Sequence, residues 1–144
     1  MIKFSKKFLF DQEKLKKFCQ RQKINLLILH GSYATGNATK QSDIDIGILL
    51  HGHLSREKYW KILSELTEIL GDKCDCVLLN EAESMISYQT ALNGTPLYER
   101  KKGLFDEFTA TAVSRYQDAA KFRNLEKEYL QSHLKEWGKH DEHN

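Results

Sequence analysis

The sequence predicts an α/β domain, a small sheet flanked by helices with a long helix at its C-terminal end. Three observations lead there. KINLLIL (Lys23 to Leu29), DIDIGILL (Asp43 to Leu50) and KCDCVLLN (Lys73 to Asn80) are short apolar runs of strand length. Stretches of helical period lie between and after them. From Leu104 to Trp137 there is neither proline nor glycine. Helices interleaved with strands around one core make an α/β fold.

Taken in order, Asp11 is placed to cap a helix running to about Gln22, with Leu15 and Phe18 on its inner stripe and lysines outside. KINLLILH follows as a buried strand. The segment after it, from Gly31 to Ser42, is rich in Gly, Ser, Thr and Asn. Beyond it, Ile44, Ile46, Ile48 and Leu50 alternate with Asp43, Asp45, Gly47 and Leu49. Period two puts the isoleucines on the core face and both aspartates on the other. Ser55 caps the next helix, in which Tyr59, Ile62, Leu63, Leu66 and Leu70 recur at helical spacing until Gly71 ends it. The third strand, Lys73 to Asn80, sets Asp75, Val77 and Leu79 on one face. Asn80 with Glu83 reads as a capping box for a helix through about Leu92. Asn93 to Pro96 is a turn, and PLYER a short edge strand with Pro96 at its first position. Phe105, Phe108, Ala112, Tyr116, Ala119, Ala120, Tyr129 and Leu134 then keep a helical period, as one long helix or two abutting ones.

The whole chain bounds the rest. Its 144 residues suit one domain, spanning 1–144, with a core over about 24–100 and a helical extension over about 104–138. Hydrophobic residues at 40% and charged residues at 29% describe a globular chain rather than a disordered one. No apolar run approaches the roughly 18 to 20 residues of a membrane span. MIKFSKKFLF lacks the continuous apolar stretch and small-residue cleavage site of a signal peptide. Cys19, Cys74 and Cys76 are odd in number. Cys74 and Cys76 flank Asp75 on one strand, so they read as reduced thiols in a cytoplasmic protein. A formal charge of +2 is too small to argue for nucleic-acid binding, and no direct nucleic-acid contact is expected.

The chemistry concentrates in HGSYATGNATKQSDID (His30 to Asp45). Nucleotide phosphates are best met by backbone N–H groups, hydroxyls and magnesium. Gly31 allows the backbone a close approach, and Ser32 offers an N–H and a hydroxyl. If Tyr33 to Thr35 begin a short helix, its positive end faces the same point. Magnesium takes one or two carboxylates, with phosphates and water completing its octahedron. Asp43 and Asp45 point the same way from one strand. If the third strand pairs beside the second, Asp75 joins them. Three carboxylates around one or two metals suit nucleotidyl transfer, the third able to deprotonate an attacking hydroxyl. A lone D-x-D occurs by chance in many domains, and aspartates at strand ends often cap turns. Gly-Ser, ten residues, then D-x-D, with strands at both ends and a carboxylate on a third, is far more specific.

At these residues the chain resembles the nucleotidyltransferase superfamily related to DNA polymerase beta. It is most similar to the minimal MNT-type members, whose motif is G-S-x10-D-x-D. Gly31, Ser32, Asp43 and Asp45 match in full, Asp75 falls where that family keeps its third carboxylate, and the resemblance covers about residues 24 to 100. It implies a small mixed sheet of the palm-like type, catalytic and metal-binding roles for Asp43, Asp45 and Asp75, nucleotide binding by Gly31 and Ser32, and Mg2+ with ATP as co-substrate. Length and the long C-terminal helix resemble the antitoxin half of HEPN–MNT toxin–antitoxin pairs. That resemblance implies adenylylation of a tyrosine on a HEPN ribonuclease toxin. Many relatives carry arginine at one or two of the positions held here by Tyr33 and Thr35. Either Lys40 or another basic residue substitutes, or nucleotide affinity is weak. An antitoxin that neutralises by covering its toxin, and a small-molecule nucleotidyltransferase of the aminoglycoside type, are the competing readings.

Among other residues, His30 is expected to pack or bond the backbone beside the Gly-Ser turn rather than touch a phosphate. His51 and His53 read as a solvated turn. Arg115 and Asp118, three apart on the long helix, read as a surface ion pair. Tyr116, Phe122, Tyr129 and Trp137 read as core or helix-packing residues, with Trp137 the best candidate for a partner anchor.

Overall fold

The structure is a computed structural model that describes residues 11–39 and 41–141. Its elements are α1 (Gln12–Arg21), β1 (Ile24–His30), α2 (Ser32–Thr35), β2 (Ile44–Leu50), α3 (Arg56–Leu70), β3 (Cys74–Leu78), α4 (Ser84–Asn93), β4 (Thr95–Glu99) and α5 (Leu104–Asp141). The four strands form one sheet in the order β3-β2-β1-β4. β1 runs antiparallel to β2 and to β4, whereas β3 lies parallel to β2. The sheet is therefore mixed, as expected, with β3 and β4 at its edges.

Local chemistry starts and stops the helices. Asp11 Oδ1 accepts from the N–H groups of Glu13 and Lys14 at 3.0 and 3.2 Å, and Ser55 Oγ accepts from Lys58 N at 3.2 Å. Each cap satisfies N–H groups that no helical carbonyl can reach. Gly71, at φ 100°, ends α3 by donating its N–H to Thr67 O at 2.8 Å.

One sheet face packs on α1 and α3 through Leu15, Phe18, Leu27, Leu29, Ile46, Ile48, Ile62 and Leu66. The other packs on α4 and α5 through Leu26, Ile28, Leu79, Leu104, Phe105 and Phe108. β1 contributes to both, which explains its nearly unbroken apolar run. A central strand covered on two sides has no polar face to alternate with. Pro96 is the second residue of β4 rather than the first. It is tolerated because β4 is an edge strand, whose outer side needs no donor.

Three expectations need correcting. Asn80 does not cap α4, whose N-cap is Glu83 with no side-chain bond. Asn80 instead reaches β2, its Oδ1 accepting from Leu50 N at 2.8 Å and its Nδ2 donating to Leu50 O at 3.0 Å. Both of its hydrogen-bonding groups are consumed where the ladder ends. α5 is one unbroken helix of 38 residues, and its distal aromatics are not core. Phe122, Tyr129 and Trp137 are 69%, 61% and 72% exposed. Among the described residues, only the first part of α5 lies on the domain, with Ala112 buried and Tyr116 stacked on Tyr88 at 4.0 Å between ring centroids. Finally, Arg115 and Asp118 form no ion pair among the described residues. Arg115 lines a cavity instead.

Candidate active site

The site is built where β1 turns into α2 beside the start of β2. Gly31 follows the last residue of β1 at φ 71°, ψ −153°, a conformation that side chains resist. A Cβ built on it would also overlap Asp45 Oδ2. Backbone geometry and contact therefore demand glycine independently. Ser32 opens α2, whose short turn is closed by Ala34 N and Thr35 N, each donating to Gly31 O at 3.2 Å. Among the described residues, Ser32 spends neither its N–H nor its hydroxyl on a partner. Thr35 turns its hydroxyl back to Gly31 O and Ser32 O, at 3.4 and 3.3 Å.

The polar segment beyond folds on its own hydroxyls. Thr39 N donates to Ser42 Oγ at 2.8 Å, and Ser42 N donates to Thr39 O at 3.2 Å. Ile44 N then donates to Lys73 O at 2.7 Å, starting β2 alongside β3. Lys40, named above as a substitute for the missing arginine, lies outside the described residues.

Strand register assembles the carboxylates. Asp45 lies opposite His30 on one side and Asp75 on the other. Asp43 sits one residue before β2 and is exposed, as is Asp75, whereas Asp45 is partly buried. Burial raises the Asp45 carboxyl above its ordinary value, the charges of Asp75 and Asp43 push it up further, and His30 pulls it down. Like charges this close each disfavour the other's ionised form. His30 moves down from its ordinary value through burial, opposed by Asp45, Asp75 and a backbone hydrogen bond at Ile46. Its Nε2 is buried without a protein partner among the described residues. Sequence reasoning expected the backbone bond but missed the juxtaposition with Asp45, which only the antiparallel register reveals.

Among the described residues no three His, Cys, Asp or Glu side chains converge into a ready-made metal cage. Magnesium does not require one, since substrate phosphates supply most of its ligands. A pair of carboxylates in register, one already strained towards neutrality by its neighbours, is the donor set such an ion would relieve. Gly31, Ser32, Asp43, Asp45 and Asp75 are all brought to this end of the sheet.

The polymerase beta nucleotidyltransferase family model matches residues 13–103, which span α1 through β4. The chain belongs to that family. It is similar to a protein adenylyltransferase MntA of Aphanizomenon flos-aquae, with 30% identity over 129 residues, 80% of this chain and 83% of the relative. A second protein adenylyltransferase MntA, from Shewanella oneidensis, is 31% identical over 96 residues, 66% of this chain and 68% of that one. A solved toxin–antitoxin structure with AMP-PNP contains a chain similar in fold, with a TM-score of 0.69 and 25% identity over 84% of this chain and 98% of that one.

Within this nucleotidyltransferase, Cys74 and Cys76 straddle Asp75 and pack on the core, their sulfurs 3.7 Å apart and unbridged. Their shared hydrogen bond lowers the pKa of the Cys74 thiol and raises that of Cys76. On the opposite sheet face, a cavity of about 440 Å³ lies at the far ends of β1 and β2, against α4 and α5. Asn25 Oδ1 and Ser87 Oγ are buried without protein partners, and both residues line the cavity. Nothing in the sequence marked it, because its walls come from four elements and the segment after β3. Leu79 and Thr90 close over Gly47 between this cavity and the aspartates. The cavity lining includes none of Gly31, Ser32, Asp43, Asp45 and Asp75.

Proposed function

We propose that this chain is an ATP- and Mg2+-dependent protein adenylyltransferase, the antitoxin of a toxin–antitoxin pair, which transfers AMP to a tyrosine of a HEPN ribonuclease toxin. The observation that carries the reading is the register of Asp45 and Asp75 beside the Gly31–Ser32 turn. Family membership and the named adenylyltransferase relatives support it. The toxin–antitoxin structure with AMP-PNP supports both the nucleotide and the class of partner.

Each residue has a role in this reading. Gly31 brings the backbone against the phosphates, and the uncommitted N–H and hydroxyl of Ser32 bind their oxygens. Asp43, Asp45 and Asp75 would hold Mg2+, which when bound neutralises phosphate charge during transfer. Asp75, exposed at the sheet edge, accepts the proton of the incoming tyrosine hydroxyl. The tyrosine oxygen bonds to the α-phosphorus, the bond from that phosphorus towards the β-phosphate breaks, and pyrophosphate leaves. His30 stands behind Asp45 and tempers its charge. Work on ATP and an intracellular ribonuclease puts the protein in the cytoplasm. Among the described residues no helix is long and apolar enough to cross a membrane.

Incubating the purified chain with ATP, Mg2+ and its toxin should add about 329 Da per transferred AMP to the toxin. The toxin should remain inactive after the two proteins are separated. An unmodified toxin, neutralised only while bound, would replace the enzyme with a covering antitoxin. Thr35, uncharged and with its hydroxyl turned back to Gly31 O and Ser32 O, is the feature that favours that second reading.

A further inference from the structure

The distal half of α5 runs beyond the sheet and carries an apolar stripe that nothing among the described residues covers. Phe122, Leu125, Tyr129, Leu130, Leu134 and Trp137 are each between 53% and 72% exposed. At 100° per residue all but Leu125, which lies at the edge of the stripe, continue the helix face that, further back, lays Phe108 and Ala112 on the domain. A patch of this size on an otherwise polar helix marks an interaction surface.

Its spacing says what it fits. Phe122 lies as far before the midpoint between Tyr129 and Leu130 as Trp137 lies after it, and Leu125 and Leu134 are related by the same point. So are Glu126 and His133, which sit at the centre of the face. A stripe that reads the same from both ends is self-complementary to an antiparallel copy, the condition for a closed two-fold interface. We propose that two copies of this chain pair through antiparallel distal α5 helices. Phe122 then packs on Trp137 of the second copy and Tyr129 on Leu130. Glu126 faces His133 twice, once on each side of the axis.

Charge and area agree with this occupant. Tyr129 Oη and His133 Nε2 are 3.2 Å apart within the helix, so that contact orients the ring and leaves its other nitrogen for the opposing carboxylate. Taking about 150 to 250 Å² for each aromatic side chain, the stripe offers about 600 Å² per copy. That is the lower range of specific dimers, which bury roughly 1,200 Å² or more in total. The pairing does not depend on the catalytic reading, because the stripe shares no residue with the carboxylate site.

The test is the mass of the full chain in solution, measured by light scattering over a concentration series. Wild type should be a dimer at micromolar concentration. Leu130→Glu should be monomeric with an unchanged far-ultraviolet circular dichroism spectrum, since Leu130 is more than half exposed on the distal part of α5. Glu126→Lys should weaken dimerisation at least tenfold, and Glu126→Lys with His133→Glu in one chain should restore it. A monomeric wild type, a dimer indifferent to Leu130→Glu, or no rescue by the charge exchange would overturn the proposal. So would a chain that stays monomeric until toxin is added, which would make the stripe the toxin's seat.

Discussion

Asp45 and Asp75 stand opposite each other on neighbouring parallel strands, the first partly buried and the second exposed. They share one edge of the turn that Gly31 opens, and their charges act on each other. Asp45→Asn should therefore reduce AMP transfer by about 100-fold or more, as when a charged group serving the transition state is lost. The fold should be retained or slightly stabilised, because the variant removes repulsion. Radiolabel transfer from ATP and a thermal melt check the two halves.

The same carboxyl makes stability depend on pH with a definite sign. Its pKa in the folded state lies above the ordinary carboxylate value of 3.8. Between the two values the native state binds more protons than the unfolded one, so this contribution to stability declines as pH rises through that window. His30 acts at higher pH. Its folded pKa lies below 6.5, so stability is complete above 6.5 and is lost as pH falls from there towards the folded value. Melting temperatures measured across pH 4 to 8 should show both slopes in wild type. Asp45→Asn should lack the first and His30→Gln the second.

Gly31→Ala should cost about 1 to 3 kcal/mol, the penalty of a side chain in a glycine-only conformation. It should also displace the Asp45 carboxylate, so ATP affinity should fall more than stability. Ser32→Ala should leave stability unchanged, since its hydroxyl has no protein partner among the described residues. Its loss should weaken ATP by about 1.5 to 3 kcal/mol, the value of a hydrogen bond to a charged group. Calorimetric titration and urea unfolding separate these effects.

Asn80→Ala should destabilise the chain by about 2 kcal/mol, since it strands both the N–H and the carbonyl of Leu50 at the end of β2. Asn80→Asp should not rescue it, because a carboxylate cannot donate to Leu50 O. Both variants should keep transfer activity once folded, being at the other end of the sheet from Asp45. Urea unfolding with activity assayed under native conditions is the check.

The sequence made most of the site legible because its parts are local. Gly31 and Ser32 adjoin one strand, Asp43 and Asp45 begin the next, and period two fixes which way Asp45 points. Asp75 was legible only on the condition that β3 lies beside β2, which sequence periodicity cannot decide. His30 shows the same limit. Its neighbour Asp45 is fifteen residues away in the chain, and only the antiparallel register makes them adjacent. Asn80 misled for a physical reason. An asparagine before a helix offers the same groups to a helix cap or to a distant strand end, and here the unpaired ladder of β2 competed successfully. On α5, helical spacing identified an apolar face correctly but carried no information on where the domain beneath it stops.

The strand order has a mechanical consequence for the two carboxylates. Asp45 belongs to β2, held by ladders on both sides, whereas Asp75 belongs to β3, which is tied along one side only. Edge strands open locally at lower free energy than interior ones. The pair thus combines a rigid post with a compliant arm, and in the proposed reaction the arm bears the carboxylate that meets the acceptor. On that proposal the site would keep its grip on the nucleotide while yielding to differently shaped hydroxyl donors, and the stiffness of one strand would set its tolerance for the acceptor.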